Sequence, residues 1–103
     1  MQTTSKVYGA ERQLASRSTL APAPNVAAVV HDGRTILLEQ TSGRYFGLSD
    51  VGTRIWELIQ QRVSPLDIVG RVEREYDVAR DRIVEDTAAL LSALLGARLI
   101  RWE

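Results

Sequence analysis

The strongest constraint on the fold is a β-hairpin signal in the first half of the chain. Residues 26–31 and 34–39 are both rich in aliphatic and β-branched side chains, and only Asp32 and Gly33 separate them. Asp-Gly is typical of a two-residue hairpin turn, because both positions adopt positive φ readily. The sequence therefore predicts two antiparallel strands joined by a tight turn.

The same turn predicts which side chains lie opposite each other. A two-residue loop sets Val29 opposite Ile36 and Ala27 opposite Leu38. Because alternate side chains of a strand share a face, these four residues line one side of the hairpin. Thr35 and Glu39 are then expected to turn outward.

A third strand is expected after the next turn. Ser42 and Gly43 reverse the chain, and residues 44–48 then form a short strand that completes an antiparallel meander. The last strand of such a meander has one edge without a partner. That edge is the candidate working surface.

Three helices are predicted downstream. Ser49 caps the first, whose apolar residues 51, 55, 58 and 59 recur with helical spacing. Ser64 followed by Pro65 announces the second, which is expected to end near Tyr76. The third is predicted over residues 79–95.

The third helix carries more apolar surface than a single buried stripe needs. Its residues form two adjoining rows, so the second row contacts either the rest of the chain or a partner. The rows are Ile83, Thr87, Leu90 and Leu94, and Val84, Ala88, Leu91 and Leu95.

Composition excludes several classes of protein. The 103 residues have no cysteine and a formal charge of zero, which argues against a disulfide framework, a thiolate metal site and an electrostatic nucleic-acid binder. No window approaches the roughly 20 apolar residues of a membrane span. We expect a cytoplasmic domain over residues 26–103 behind a flexible N-terminal arm, residues 1–25.

The order of elements predicts an α+β domain of winged helix-turn-helix type, with a three-stranded antiparallel sheet followed by three helices. The obvious function of such a fold is DNA binding. Against it, residues 81–95 carry a net charge of about −2, whereas a duplex reader needs cations to neutralise phosphates.

Nothing in the sequence indicates an enzyme. His31 is the only histidine and lies at the hairpin turn, and no glycine-rich phosphate loop follows a strand. We expect no catalytic residues, no metal and no cofactor.

The run from Thr41 to Ser49, with Gly52 and residues 55–58 after it, resembles the pyrroloquinoline quinone synthesis D-protein family. The resemblance extends over about residues 25–102. Within that family the chain looks most like the RiPP recognition elements, the free-standing leader-binding proteins of lasso peptide clusters. It departs from quinone-pathway members at residues 37–40, where those tend to carry a proline beside the glutamate.

This resemblance implies a non-catalytic adaptor. The extended leader of a ribosomally made precursor peptide would pair antiparallel with the third strand and lie in a groove walled by the third helix. A leader peptidase with a cysteine nucleophile and a lasso cyclase are the implied next partners. A quinone-pathway peptide chaperone and a DNA-binding winged-helix regulator remain the alternatives.

The candidate peptide-binding residues lie on the third strand and on one face of the third helix. For Gly47 a bulge is the alternative to close approach by a ligand, and for Tyr45 and Phe46 it is core filling. Asp86 either meets a basic leader residue or is a solvated carboxylate. The full set is Arg44, Tyr45, Phe46, Gly47, Leu48, Ile83, Asp86, Thr87 and Leu90.

Overall fold

A mixed α+β architecture is observed. The computed structural model describes residues 19–103, and it has a three-stranded antiparallel sheet, a two-stranded ribbon and three helices in that part of the chain. In chain order the elements are β1 (Leu20–Pro22), β2 (Val26–His31), β3 (Arg34–Glu39), β4 (Arg44–Gly47), α1 (Asp50–Gln60), α2 (Pro65–Glu75), α3 (Arg80–Gly96) and β5 (Ile100–Trp102).

The predicted hairpin is confirmed in its turn and its register. Asp32 and Gly33 both have positive φ, 53° and 76°, as a two-residue turn of this hand requires. Val29 pairs with Ile36, and β4 then pairs with the other side of β3, giving the order β2-β3-β4.

The prediction of which hairpin face is buried is wrong. Val29 and Ile36 are 59% and 37% exposed on the outer face of the sheet, whereas Thr35 and Glu39 are only 3% and 7% exposed. The inner face is set by Leu37, which is fully buried against the helices. Its polar neighbours on that face are accommodated because hydrogen bonds satisfy them, and the aliphatic residues are left facing outward.

Glu39 holds the turn between β3 and β4. Its two carboxylate oxygens accept the backbone amides of Ser42 at 2.8 Å and Thr41 at 3.2 Å. The hydrogen bonds from Ser42, ahead of those from Thr41, hold the pKa of Glu39 below its ordinary value. Gly43, with φ 74°, completes the reversal.

The ribbon of β1 and β5 differs from the expectation for the N-terminal arm. Leu20 and Ala21 are buried, and β1 pairs antiparallel with β5, so that Leu20 lies opposite Trp102. The arm was predicted to extend to residue 25, but residues 20–22 form a paired strand whose first two residues are buried. Residues 1–18 of the predicted arm lie outside the described residues.

The helix starts agree with the capping signals. Ser49 accepts a hydrogen bond from the Gly52 amide at 3.1 Å, and Ser64 accepts one from Asp67 at 3.4 Å. These bonds satisfy backbone donors that the first turn of a helix leaves unpaired. Helix α3 begins after Ala79, whose side chain supplies no capping hydrogen bond.

Helix α3 packs most of both apolar rows into the core. Ile83, Val84 and Leu91 are among its buried residues, while Leu90 and Leu95 are half-buried at the margin. The second row is therefore largely explained by contact within the chain. Leu90 keeps part of its surface open.

An ion pair ties α1 to the end of α2. The Arg54 guanidinium donates to both oxygens of Glu75, at 2.8 and 3.0 Å. This pairing lowers the pKa of Glu75 and raises that of Arg54.

None of the helices within residues 19–103 is long and apolar enough to cross a membrane.

Replacement of Glu39 by glutamine should destabilise the protein and flatten its acid sensitivity. Glutamine has one acceptor oxygen, and its NH₂ group would face the second turn amide. Because the folded-state pKa is lowered, ionised Glu39 stabilises the fold above its ordinary value of 4.5, and this contribution is lost as the pH falls below it. Thermal unfolding should show a lower melting temperature for Glu39→Gln than for wild type at pH 7, and a smaller difference at pH 3. A difference in melting temperature that does not change with pH would contradict this role.

Candidate functional site

Strand β4 has an open edge. Within the described residues it pairs with β3 only. The Leu48 amide donates to the Thr35 carbonyl oxygen at 2.8 Å, and alternate residues of a strand point the same way, so Phe46 also turns its backbone groups toward β3. Tyr45 and Gly47 consequently present their N–H and C=O groups to the open side. These four groups can bind an extended backbone.

A groove runs between this edge and α3. At the carboxyl end of β4 it widens into a cavity of about 880 Å³ with walls from the starts of α1 and α3 and the end of α2. Six of the nine predicted site residues line it: Gly47, Leu48, Ile83, Asp86, Thr87 and Leu90.

A smaller cavity of about 430 Å³ lies beside the start of β4. Arg44 lines it together with Gly96, the last residue of α3, and Arg98, two residues further on. The start of β4 therefore lies beside the end of α3, and the two elements run in opposite directions. A strand added antiparallel to β4 would follow the direction of α3.

The two aromatic side chains of β4 point to opposite faces, as alternation predicts. Tyr45 is 73% exposed on the outer face, whereas Phe46 is half-buried and packs against the core. Leu48 is buried in the core, as expected, and lies one residue beyond β4. Gly47 pairs one-to-one with Ile36, so the bulge considered for it is not observed.

Several cavity residues escaped the sequence prediction. Val51 and Ile55 come from α1, and Tyr76 and Val78 come from the segment between α2 and α3. The available signal was Gly52, a glycine inside a helix, which often marks a close approach. An added Cβ there would lie 3.4 Å from the Leu48 Cβ, in van der Waals contact, so Gly52 packs directly against the residue that follows β4.

The rim of the large cavity is charged but weakly paired. Asp86 lies 3.5 Å from Arg82, and both side chains are mostly exposed. An exposed pair of this kind contributes about 0–1 kcal/mol, so Asp86 can exchange partners at little cost. In the described part of the chain no three histidine, aspartate or glutamate side chains group as metal ligands.

The sequence of this chain matches a known protein family. The family model described as Coenzyme PQQ synthesis protein D (PqqD) matches residues 34–100, which include β3, β4 and the three helices. The chain belongs to the PqqD family. This PqqD-family chain has no match among curated proteins.

Two solved structures are similar to this PqqD-family protein. One, described as TbiB1 in complex with the TbiA(beta) leader peptide, is 33% identical with a TM-score of 0.73, and the match covers 79% of this chain and 94% of that one. The other, described as lasso peptide synthetase B1 complexed with the leader peptide, is 26% identical with a TM-score of 0.74, covering 81% and 98%.

Thr53 should be needed to hold the sheet beside α1. The Thr35 amide, part-buried, donates to the Thr53 hydroxyl at 3.1 Å, and Thr35 also accepts the Leu48 amide. Thr53→Val leaves the Thr35 amide without this acceptor, at a cost of about 1–3 kcal/mol in the free energy of unfolding. Urea denaturation measures the loss. Thr53→Ser, which keeps the hydroxyl, should lose less stability than Thr53→Val, and equal losses in both variants would refute the role.

Proposed function

We propose that this protein is a non-catalytic adaptor that binds the leader segment of a ribosomally made precursor peptide and presents it to maturation enzymes. The observation that carries the proposal is the open edge of β4 beside an apolar cavity. The leader would add a strand antiparallel to β4 and place apolar side chains between the sheet and α3.

Two levels of recognition follow from this geometry. The N–H and C=O groups of Tyr45 and Gly47 bind any extended backbone, because main-chain pairing is blind to sequence. Selection comes from the cavity beside them, where Leu48, Ile83 and Leu90 offer apolar surface. Asp86 at the rim would meet a basic residue of the leader.

Order-of-magnitude energies favour modest, specific binding. About four hydrogen bonds contribute ~0.5–1.5 kcal/mol each, and two buried apolar side chains contribute ~1.5–3 kcal/mol each. Association costs at least about 4 kcal/mol. The balance is at most about 8 kcal/mol, which corresponds to a Kd of about 1 μM or weaker, and the apolar anchors decide which peptide binds.

The solved structures support a place in lasso peptide maturation. Both are described as leader-peptide complexes, and one is described as a lasso peptide synthetase B1. We infer a leader peptidase with a cysteine nucleophile as the enzyme that receives the bound precursor, with a lasso cyclase acting next. Tethering the leader would raise the local concentration of substrate at the peptidase.

A peptide chaperone of the quinone pathway is the second candidate, because the family model bears that pathway's description. The two candidates differ in which precursor binds. A DNA-binding role is disfavoured, since Asp81, Glu85 and Asp86 lie on α3, where a duplex reader would need cations.

The proposal is tested by adding the synthetic leader of a candidate lasso precursor peptide to ¹⁵N-labelled protein. The largest amide shifts should fall on Tyr45, Gly47 and the first half of α3. Shifts produced only by duplex DNA, or only on surfaces away from β4, would refute the adaptor.

A backbone variant separates strand addition from side-chain contact. Tyr45→Pro removes one N–H that faces the open edge but none that bonds β3, and edge strands tolerate such a proline. It should bind the leader at least about tenfold more weakly than Tyr45→Val, which keeps the N–H. Isothermal titration calorimetry measures both, with thermal unfolding as the check on folding. Equal affinities would show that the leader does not pair with β4.

A further inference from the structure

Two arginines line the smaller cavity beside the start of β4. Arg44 is the first residue of the strand, and Arg98 lies in the turn after α3. Both are exposed, and within residues 19–103 neither guanidinium forms an ion pair or a hydrogen bond. A guanidinium is weakly hydrated and presents its donors in a planar fork that matches a carboxylate. The two side chains are therefore available to bind an anion.

The carboxylate of Glu39 also lines this cavity, but it is committed to the fold. The residue is 7% exposed, and its two oxygens accept the turn amides of Thr41 and Ser42. The charge that a ligand can reach in this cavity is consequently the positive charge of the two guanidinium groups.

The backbone at Arg98 favours glycine over arginine. Its φ is 62°, in the left-handed region that glycine and asparagine prefer after a helix. Arg62 follows α1 with a similar φ of 63°, but its guanidinium bonds to Glu103 at 2.9 Å and to the Gln60 carbonyl oxygen at 3.1 Å. Arg98 has no such contact in the described part of the chain. Its charge interacts only weakly with the carboxyl end of α3, as at any exposed helix end, and its donors stay unused.

An added strand would place one side chain at this cavity. Because Tyr45 and Gly47 turn their backbone groups to the open edge, a guest residue opposite Arg44 would form a non-hydrogen-bonded pair, in which opposed side chains are closest. Arg44 shares the inner face of the sheet with Phe46. The guest side chain opposite Arg44 would therefore point toward α3 and Arg98.

The two ends of the groove differ in charge. Asp77 and Asp86 line the large cavity with Arg82, whereas Arg44 and Arg98 line the smaller one. A guest antiparallel to β4 has its amino-terminal part at the large cavity and its carboxyl-terminal part at the smaller one. Charge complementarity then favours an acidic residue on the carboxyl-terminal side of the bound segment.

We propose that Arg44 and Arg98 form an anion subsite for an aspartate or glutamate side chain of the leader, two residues to the carboxyl side of the leader residue opposite Phe46. This inference rests on the proposed strand addition and adds a charge to the apolar anchors. Two guanidinium groups can share one carboxylate through charge-assisted hydrogen bonds. The subsite fixes the register and direction of the guest, which main-chain pairing alone leaves open.

Variants of the synthetic leader used above test the subsite. Intermolecular nuclear Overhauser effects to the Phe46 ring identify the leader residue opposite it. The leader residue two positions further toward the carboxyl end is then replaced in turn by glutamate, glutamine and lysine. In isothermal titration calorimetry, wild type should bind the glutamate leader at least about threefold more tightly than the glutamine leader and about tenfold more tightly than the lysine leader.

Removal of the two arginines should abolish this preference. The variant with both Arg44→Gln and Arg98→Gln should bind the glutamate and glutamine leaders within about 1.5-fold of each other. Arg98→Glu should weaken binding of the glutamate leader and strengthen binding of the lysine leader. Raising the salt from about 0.05 M to about 0.5 M should shrink the wild-type preference, because screening weakens exposed charge pairs.

Arg101→Gln is the matched control for net charge. Arg101 is exposed on β5 and lines neither cavity of the groove, so this variant should keep the full preference for glutamate. Thermal unfolding checks that each variant folds. If Arg98→Gln unfolds, Arg98→Gly replaces it, because the positive φ suits glycine, and it should lose the preference to the same extent.

The outcomes distinguish the two proposals. If the leader shifts the Tyr45 and Gly47 amides but wild type binds the lysine leader as well as the glutamate leader, the subsite is refuted while strand addition stands. The subsite also fails if the preference survives loss of both arginines, or if Arg101→Gln removes as much of it. If no leader variant perturbs β4, strand addition fails and the subsite fails with it.

Discussion

The one-sided pairing of β4 is the constraint on which the recognition surface depends. Tyr45 and Gly47 direct four backbone hydrogen-bonding groups away from β3, and no strand within residues 19–103 takes them up. Such groups are satisfied by water at an exposed edge and can be transferred to another extended chain with little penalty. Under the proposed function the edge would supply affinity, and the side chains around it would supply selectivity.

The edge is held in place by polar contacts at both ends of β3. Thr35 bonds to Thr53 on α1 and to Leu48 after β4, and Glu39 fixes the turn that leads into β4. A short edge strand of four residues would otherwise fray. Buried polar groups on the inner face of the hairpin thus have a positional role, which also explains why aliphatic residues are left on the outer face.

Two cavities meet at Gly47, so the edge of β4 is bordered by a concave surface on each side. Helices α1 and α3 enclose one, and the hairpin encloses the other. A strand added to this edge would send neighbouring side chains to opposite faces. The two similar structures, at 33% and 26% identity, are both described as leader-peptide complexes.

Local chemistry in the sequence determined the elements of this protein: the Asp32-Gly33 turn, the register of Val29 with Ile36, and the serine caps at Ser49 and Ser64 all depend on neighbouring residues alone. Six predicted site residues also share one cavity. Only the tertiary structure decided that Thr35 and Glu39 face inward, that Leu20–Pro22 pairs with β5, and that α1 and the end of α2 wall the groove. Those features depend on contacts between residues far apart in the chain, and strand alternation alone cannot tell which of its two faces the helices will cover.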